Sequence, residues 1–131
     1  MRKILVVDDA AFMRVTIKNM LLKNGYEVVG EAENGKIAVE KYIALKPDIV
    51  TMDITMPVMN GLSALKTIVE LDSGANCIMV TAMGQQETVK EAILAGARGY
   101  VVKPFREEVI INALRRVEEC MELNKGTVKP A

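Results

Sequence analysis

The sequence predicts an α/β fold in which a five-stranded parallel sheet carries helices on both faces. Short apolar runs alternate with amphipathic stretches along the 131 residues, and the links between them are short. Such alternation is typical of parallel strands joined by right-handed helical crossovers. Half of the residues are hydrophobic, which is enough for one sizeable core and argues against disorder.

Five apolar runs of four or five residues are the predicted strands: Lys3–Val7, Val28–Ala32, Ile49–Met52, Cys77–Thr81 and Gly99–Val102. Five amphipathic stretches are the predicted helices: Phe12–Asn24, Gly35–Lys46, Gly61–Leu71, Glu87–Ala95 and Glu107–Glu122. Residues 123–131 follow as a short polar C-terminal tail, which is too short to form an output domain.

Turn-forming residues mark the boundaries of these elements. The first helix has an apolar face at helical spacing and stops at Asn24-Gly25. Asn34-Gly35 forms a turn before the second helix, and Lys46-Pro47-Asp48 breaks that helix before the third strand. Gly61 opens the third helix, and the turn at Gly96–Gly99 precedes the fifth strand.

Composition excludes several classes of function. The 17 basic and 17 acidic residues balance, so bulk charge predicts neither nucleic-acid binding nor attachment to a membrane surface. The chain has no histidine, which excludes a His-based triad, a His metal site and a self-phosphorylating histidine. Cys77 and Cys120 lack CxxC spacing and predict buried thiols in a reducing cytoplasm. We see neither a signal-peptide layout nor an apolar run long enough to span a bilayer.

Carboxylates follow two of the predicted strands. Asp8-Asp9 follows the first strand and Asp53 the third, and the carboxyl ends of parallel strands share one edge of the sheet. A helix cap, worth about 0.3–1 kcal/mol, would explain one of the pair but not both, and not Asp53. Two carboxylates about 4 Å apart repel by about 4 kcal/mol at an effective dielectric near 20. A divalent cation would offset this repulsion, and ligands that are all oxygen suit Mg²⁺.

These residues, together with five further ones, resemble the receiver domain of two-component response regulators. The matching residues are Asp8-Asp9, Asp53, Thr81, Tyr100 and Lys103-Pro104-Phe105, and the resemblance covers about Arg2 to Glu122. The segments around Asp9–Arg14, Thr51–Pro57 and Ala82–Gln86 resemble the single-domain chemotaxis members of that family, in their non-enteric form. The resemblance implies a flavodoxin-like sheet with strand order 2-1-3-4-5 and a receiver domain over residues 1–122.

The resemblance also implies the roles of the acidic residues. Asp53 would accept a phosphoryl group from a phosphohistidine on a sensor kinase, forming an acyl phosphate. Asp9, Asp53 and the backbone carbonyl of Thr55 would coordinate Mg²⁺, and Asp8 would act through water. Lys103 alone reads as a surface lysine. The resemblance instead implies a cis bond before Pro104 and contact between Lys103 and the phosphoryl oxygens.

Two further positions are expected to form a switch. Thr81 alone is an ordinary β-branched strand residue, and Tyr100 alone is a partly buried aromatic. The resemblance implies that the Thr81 hydroxyl donates to the phosphoryl group and that the Tyr100 ring then swings inward. Thr55 and Met83 occupy positions that, by resemblance, tune dephosphorylation.

The leading hypothesis is a monomeric cytoplasmic signalling switch, not an enzyme, which catalyses only its own phosphotransfer and dephosphorylation. Its output surface would cover about Glu87–Ala95, Gly99–Val102 and Glu107–Cys120. By resemblance its partners are a chemotaxis histidine kinase, a flagellar motor switch protein or an adaptor to an archaeal-type motor, and a phosphatase. Alternatives are a phosphorelay intermediate and the receiver portion of a longer transcription factor or methylesterase, which the short tail argues against. A haloacid-type phosphatase would need an aspartate where Thr55 stands.

Overall fold

The sheet and all five helices that the sequence predicts are present in a computed structural model, which describes the backbone of residues 1–128 and the side chains of residues 1–123. The strands are β1 (Lys3–Val7), β2 (Glu27–Ala32), β3 (Ile49–Met52), β4 (Cys77–Thr81) and β5 (Gly99–Val102). The helices are α1 (Ala11–Lys23), α2 (Gly35–Leu45), α3 (Gly61–Leu71), α4 (Gln86–Leu94) and α5 (Glu107–Val128).

The five strands form one parallel sheet in the order β2-β1-β3-β4-β5. This order confirms the flavodoxin-like topology that the resemblance implied. Val7 at the end of β1 pairs with Met52 at the end of β3, and Thr81 at the end of β4 pairs with Val102 at the end of β5. The residues that follow four of the strands therefore meet at one edge of the sheet.

Alternate residues of the strands build a core on each face of the sheet. Leu5 and Val7 of β1 belong to a cluster covered by α2 and α3, whereas Ile4 and Val6 belong to a cluster covered by α1 and α5. Every residue of β3 and β4 is buried, as expected for central strands of a sheet covered on both faces. The site edge is thus supported by rigid, fully packed strands.

Asparagine caps begin the two helices that flank the third strand. The Asn34 side chain accepts a hydrogen bond from the Ile37 N–H, and that of Asn60 accepts one from the Ser63 N–H, each at 2.9 Å. Both caps satisfy an amide that lacks a partner within its helix. The start of α3 is therefore fixed close to the loop that carries Asp53.

Apart from one-residue shifts in the bounds of β2, α1, α2 and α4, two sequence predictions differ from the structure. Helix α5 continues to Val128 instead of ending at Glu122, since a glycine at position 126 costs a helix only about 1 kcal/mol. No proline interrupts residues 107–128, and the next one is Pro130; the rest of the predicted tail, 129–131, lies outside the described residues. The prediction that Cys120 is buried is wrong: Cys77 is buried in β4, but Cys120 is exposed, because it lies on the outer side of α5.

Within the described residues, none of the helices combines the length and apolar character that crossing a bilayer requires.

Candidate functional site

The acidic pair after β1 divides into one buried and one exposed carboxylate. Asp8 is 1 % exposed, whereas Asp9 is exposed and lies outside any strand or helix. The Asp8 N–H donates to the carbonyl of Ala32 at 3.0 Å, and its carboxylate Oδ1 accepts from the Ala10 N–H at 2.9 Å. Asp8 is therefore held by β2 and by the start of α1, which leaves Asp9 facing solvent.

Asp53 follows β3 next to this pair. Its N–H donates to the Val7 carbonyl at 3.0 Å, which continues the ladder between β1 and β3 by one residue. Its side chain is buried, with 7 % of the residue exposed, and its Oδ1 accepts from the Ile54 N–H at 2.7 Å. The second oxygen, Oδ2, faces Lys103.

Gly61 determines how closely the backbone can fold back on Asp53. A Cβ at position 61 would lie 1.9 Å from the Asp53 carbonyl oxygen, so any residue other than glycine would overlap this oxygen. The Gly61 N–H donates to the Ile54 carbonyl at 2.7 Å. Residues 53–61 thus form a closed loop that requires glycine where α3 begins.

Lys103 lies between the two buried carboxylates. Its Nζ donates to Asp8 Oδ2 at 2.6 Å and to Asp53 Oδ2 at 3.0 Å, and the Lys103–Pro104 peptide bond is cis. Burial by itself lowers the pKa of Lys103, but the hydrogen bonds and charges of both aspartates outweigh burial and raise it. The ammonium group therefore stays protonated through neutral pH and neutralises one of the two buried charges.

The three carboxylates meet as the sequence predicts. Asp8, Asp9 and Asp53 each offer one oxygen, and these oxygens lie within 4.8 Å of one another. Three carboxylates and one ammonium leave two negative charges at the site. All the potential metal ligands are oxygens, and an ion can reach them from solvent on the side of exposed Asp9. The cluster therefore fits a hard divalent cation such as Mg²⁺. Thr55 lies two residues after Asp53, and its carbonyl as a metal ligand stays a prediction.

Thr81 and Tyr100, the predicted switch residues, both bind the backbone of Met83. The Met83 N–H donates to the hydroxyl of buried Thr81 at 3.3 Å, and the Tyr100 hydroxyl donates to the Met83 carbonyl. Burial and the negative charge of Asp53 raise the pKa of Tyr100. Sequence reasoning assigned Met83 only a tuning role and missed this link, because a backbone contact leaves no signal in residue type.

Thr55 and Met83, the two predicted tuning positions, contact each other beside the site. The Thr55 hydroxyl donates to the Met83 sulfur at 3.5 Å. Sequence reasoning also missed Arg14, which donates to the backbone of Asp8. The available signal was a basic residue one helical turn into α1, directly after the acidic pair.

Sequence comparisons relate this chain to one family of known proteins. A family model described as the response regulator receiver domain matches residues 4–115. The chain is 56 % identical to the "Chemotaxis protein CheY" of Thermotoga maritima over 118 residues, which cover 90 % of this chain and 98 % of that protein. It is 57 % identical to the protein of the same name from Bacillus subtilis over 114 residues, 87 % of this chain and 95 % of that one.

A solved structure shares the fold over most of both chains. The crystal structure of the CheX–CheY–BeF₃–Mg²⁺ complex from Borrelia burgdorferi contains a chain that superimposes with a TM-score of 0.87 and 34 % identity. The match covers 88 % of each chain.

Proposed function

This chain belongs to the response regulator receiver domain family, and from that premise we propose that Asp53 accepts a phosphoryl group from a chemotaxis histidine kinase in a Mg²⁺-dependent reaction. One observation carries the proposal: the buried Asp53 carboxylate lies against Lys103 and beside two more carboxylates. Chemotaxis is the process named for its relatives from Thermotoga maritima and Bacillus subtilis. The chain acts as a signalling switch and catalyses only its own phosphotransfer and dephosphorylation.

The acidic cluster would hold the metal ion. Asp9, Asp53 and the backbone carbonyl of Thr55 would bind Mg²⁺, with Asp8 acting through water, and the two residual negative charges of the site match a divalent cation. When bound, Mg²⁺ supplies positive charge that offsets the charge on the phosphoryl oxygens during transfer.

The transfer itself needs little covalent chemistry from the chain. A carboxylate oxygen of Asp53 attacks the phosphorus of the donor phosphohistidine, so that a P–O bond forms while the P–N bond breaks. The imidazole of the donor leaves with the electron pair and takes a proton from water. Lys103, which lies 3.0 Å from Asp53, donates to a phosphoryl oxygen as a compact charge. Hydrolysis by water later restores the carboxylate and releases phosphate.

Thr81 and Tyr100 transmit the change. A phosphoryl group adds about −1.5 to −2 charges at Asp53. The Thr81 hydroxyl donates to it and draws Met83 along through their hydrogen bond. Tyr100 follows because its hydroxyl binds the Met83 carbonyl. The contact between Thr55 and Met83 lies beside this group, which is why these two positions tune dephosphorylation.

The surface formed by α4, β5 and α5 is the output. It exposes five aliphatic side chains within the described residues: Ile93, Leu94, Val102, Val109 and Leu123. Such a surface suits a protein partner whose binding depends on the shape of the surface. We propose that this partner is a flagellar motor switch protein or an adaptor to an archaeal-type motor. In the Borrelia burgdorferi structure a related chain is in complex with CheX, which supports a further protein partner; we assign a phosphatase to this role. The protein works as a monomer in the cytoplasm.

The acceptor assignment is tested by substituting Asp53 with asparagine. Incubation with a small acyl phosphate and Mg²⁺ should add about 80 Da to the wild-type protein, the mass of one phosphoryl group, and nothing to Asp53→Asn. The matched control is Asp72→Asn, which changes an aspartate at the opposite end of the sheet and should be phosphorylated normally. Phosphorylation that persists in Asp53→Asn contradicts the proposal.

The output assignment is tested by capture with beryllium fluoride and Mg²⁺ as a phosphoryl mimic. Recovery of a motor component with the activated protein, and not with Asp53→Asn, supports the proposal. Recovery of a downstream phosphotransferase instead would favour the phosphorelay intermediate.

A further inference from the structure

We propose that Arg14 is a positioning residue for the metal ligand Asp9, which it orients by fixing the Asp8–Asp9 peptide group. The inference rests on the proposed function, because it takes the acidic cluster to bind Mg²⁺. Asp9 is exposed and lies in a bend between β1 and α1, so its direction depends on the backbone around it. Arg14 of α1 holds this backbone by donating to the Asp8 carbonyl.

Arg14 joins three parts of the fold through one guanidinium group. Its Nη1 donates to the Asp8 carbonyl at 2.7 Å, and its Nε donates to Glu31 Oε1 at 3.0 Å. The side chain is 17 % exposed, so most of it is packed. Its own N–H donates to the Ala10 carbonyl at 3.0 Å, which fixes it in the first turn of α1. The planar guanidinium therefore links α1 to β2 and to the acidic loop at once.

The bond to the Asp8 carbonyl matters because the peptide group is rigid. The Asp8 carbonyl oxygen and the nitrogen and Cα of Asp9 belong to one planar peptide group. A hydrogen bond that holds the oxygen therefore also fixes the position of the Asp9 Cα. Lys103 holds the Asp8 carboxylate and Ala32 accepts from the Asp8 N–H. The bond from Arg14 completes this set by fixing the side of Asp8 that faces Asp9.

Glu31 keeps the guanidinium in place. It lies on β2, pairs with Val6 of β1 in the sheet register, and also accepts from Lys18 Nζ at 2.6 Å. The hydrogen bonds from Lys18 and Arg14 lower the pKa of Glu31 despite its partial burial, so Glu31 carries a negative charge at neutral pH. Lysine at position 14 would keep the charge but could not form both bonds in the fixed fork geometry.

Charge and positioning predict opposite results when Arg14 is removed. A cation near the acidic cluster repels Mg²⁺, so if charge alone mattered, Arg14→Met would bind Mg²⁺ more tightly than the wild type. If Arg14 positions Asp9, both Arg14→Met and Arg14→Lys bind Mg²⁺ more weakly. Lys18→Met is the matched control, because Lys18 shares Glu31 with Arg14 while its own described bond goes to Glu31 and not to Asp8.

The experiment measures the Mg²⁺ dissociation constant by titration calorimetry without a phosphodonor. We expect Arg14→Met and Arg14→Lys to weaken binding about tenfold, which is typical when a partner that orients a metal ligand is lost. We expect Lys18→Met to change it less than about twofold, and circular dichroism in EDTA to show each variant folded at the titration temperature. Because the readout is metal binding alone, a loss of phosphotransfer cannot mimic it.

Two results overturn the inference in different ways. Wild-type affinity or tighter binding in Arg14→Met, with the protein folded, overturns the positioning role of Arg14 alone. Absence of Mg²⁺ binding by the wild-type protein overturns the proposed function and the positioning role together.

Discussion

Replacing Lys103 with methionine should destabilise the metal-free protein by about 3–5 kcal/mol, the range for removing one partner from a buried ion pair. At an effective dielectric near 20, the contacts of Lys103 at 2.6 and 3.0 Å are each attractive by about 6 kcal/mol before desolvation is counted. Without the ammonium, Asp8 and Asp53 remain buried and repel each other, by at least about 3 kcal/mol because their facing oxygens lie within 4.8 Å of each other. Methionine keeps an unbranched side chain up to the fourth atom but removes the ammonium group, with its charge and its hydrogen-bond donors.

Magnesium should reverse much of this loss. Metal bound only by the folded state contributes about 2.7 kcal/mol when its concentration is one hundred times the dissociation constant. The variant lacks the competing ammonium, so Mg²⁺ should stabilise Lys103→Met more than the wild type. Urea unfolding followed by circular dichroism, in EDTA and in saturating Mg²⁺, gives the four free energies of unfolding that are needed.

The pH dependence of this difference has a defined sign. Two aspartates raise the pKa of Lys103 above its ordinary value of 10.5, despite its burial. The stability that Lys103 contributes is therefore fully present below that pH and is lost as the pH rises beyond it. Equal stability of Lys103→Met and the wild type in EDTA at neutral pH would refute the electrostatic reasoning.

An exposed lysine provides the control for Lys103→Met. Lys66 Nζ lies 3.6 Å from Glu91 Oε2, and both side chains are more than half exposed. Lys66→Met should change the free energy of unfolding by at most about 1 kcal/mol, and by the same amount with and without Mg²⁺.

Four other perturbations separate the charge, backbone and switch functions of the chain. Asp9→Asn should stabilise the protein in EDTA by about 1 kcal/mol by removing a repelling charge, and should abolish stabilisation by Mg²⁺ in urea unfolding. Gly61→Ala should destabilise by about 1–3 kcal/mol, since its Cβ meets a carbonyl oxygen at 1.9 Å; Gly74→Ala, with no contact under 3.5 Å, should stay within about 0.5 kcal/mol. Burial and the bond to a glutamate raise the pKa of Tyr26 from 10.0 to about 12, so its contribution to stability is full below pH 10 and is lost towards pH 12; Tyr26→Phe should flatten that decline. Tyr100→Phe should leave phosphorylation intact but reduce the effect of beryllium fluoride on amide exchange in α4, which mass spectrometry can measure.

The sequence was sufficient for the architecture because periodicity and turn residues agree along the chain. The strands β1, β3, β4 and β5 have their predicted bounds, and the acidic residues meet because parallel strands end at one edge. It was not sufficient for contacts that depend on three-dimensional neighbours. Arg14 looks like a surface residue of an amphipathic helix, and only the fold brings its guanidinium to the Asp8 carbonyl. The prediction that Cys120 is buried was wrong for a related reason, because helical periodicity alone did not identify which face of α5 packs on the sheet.

The link through Met83 would let phosphorylation act on both predicted switch residues, Thr81 and Tyr100. The Thr81 hydroxyl uses a lone pair to accept from the Met83 N–H, so its own O–H is free to donate to a new acceptor without breaking that bond. A charge-assisted hydrogen bond contributes about 1.5–3 kcal/mol. Since each 1.4 kcal/mol changes an equilibrium about tenfold, this one bond could shift the loop population roughly 10- to 100-fold. The Tyr100 hydroxyl is tied to the carbonyl of the same residue, so the shift reaches β5 through a single peptide segment. Met83 alone therefore connects the proposed acceptor site to the proposed output surface, and coupling between them does not require a longer series of contacts.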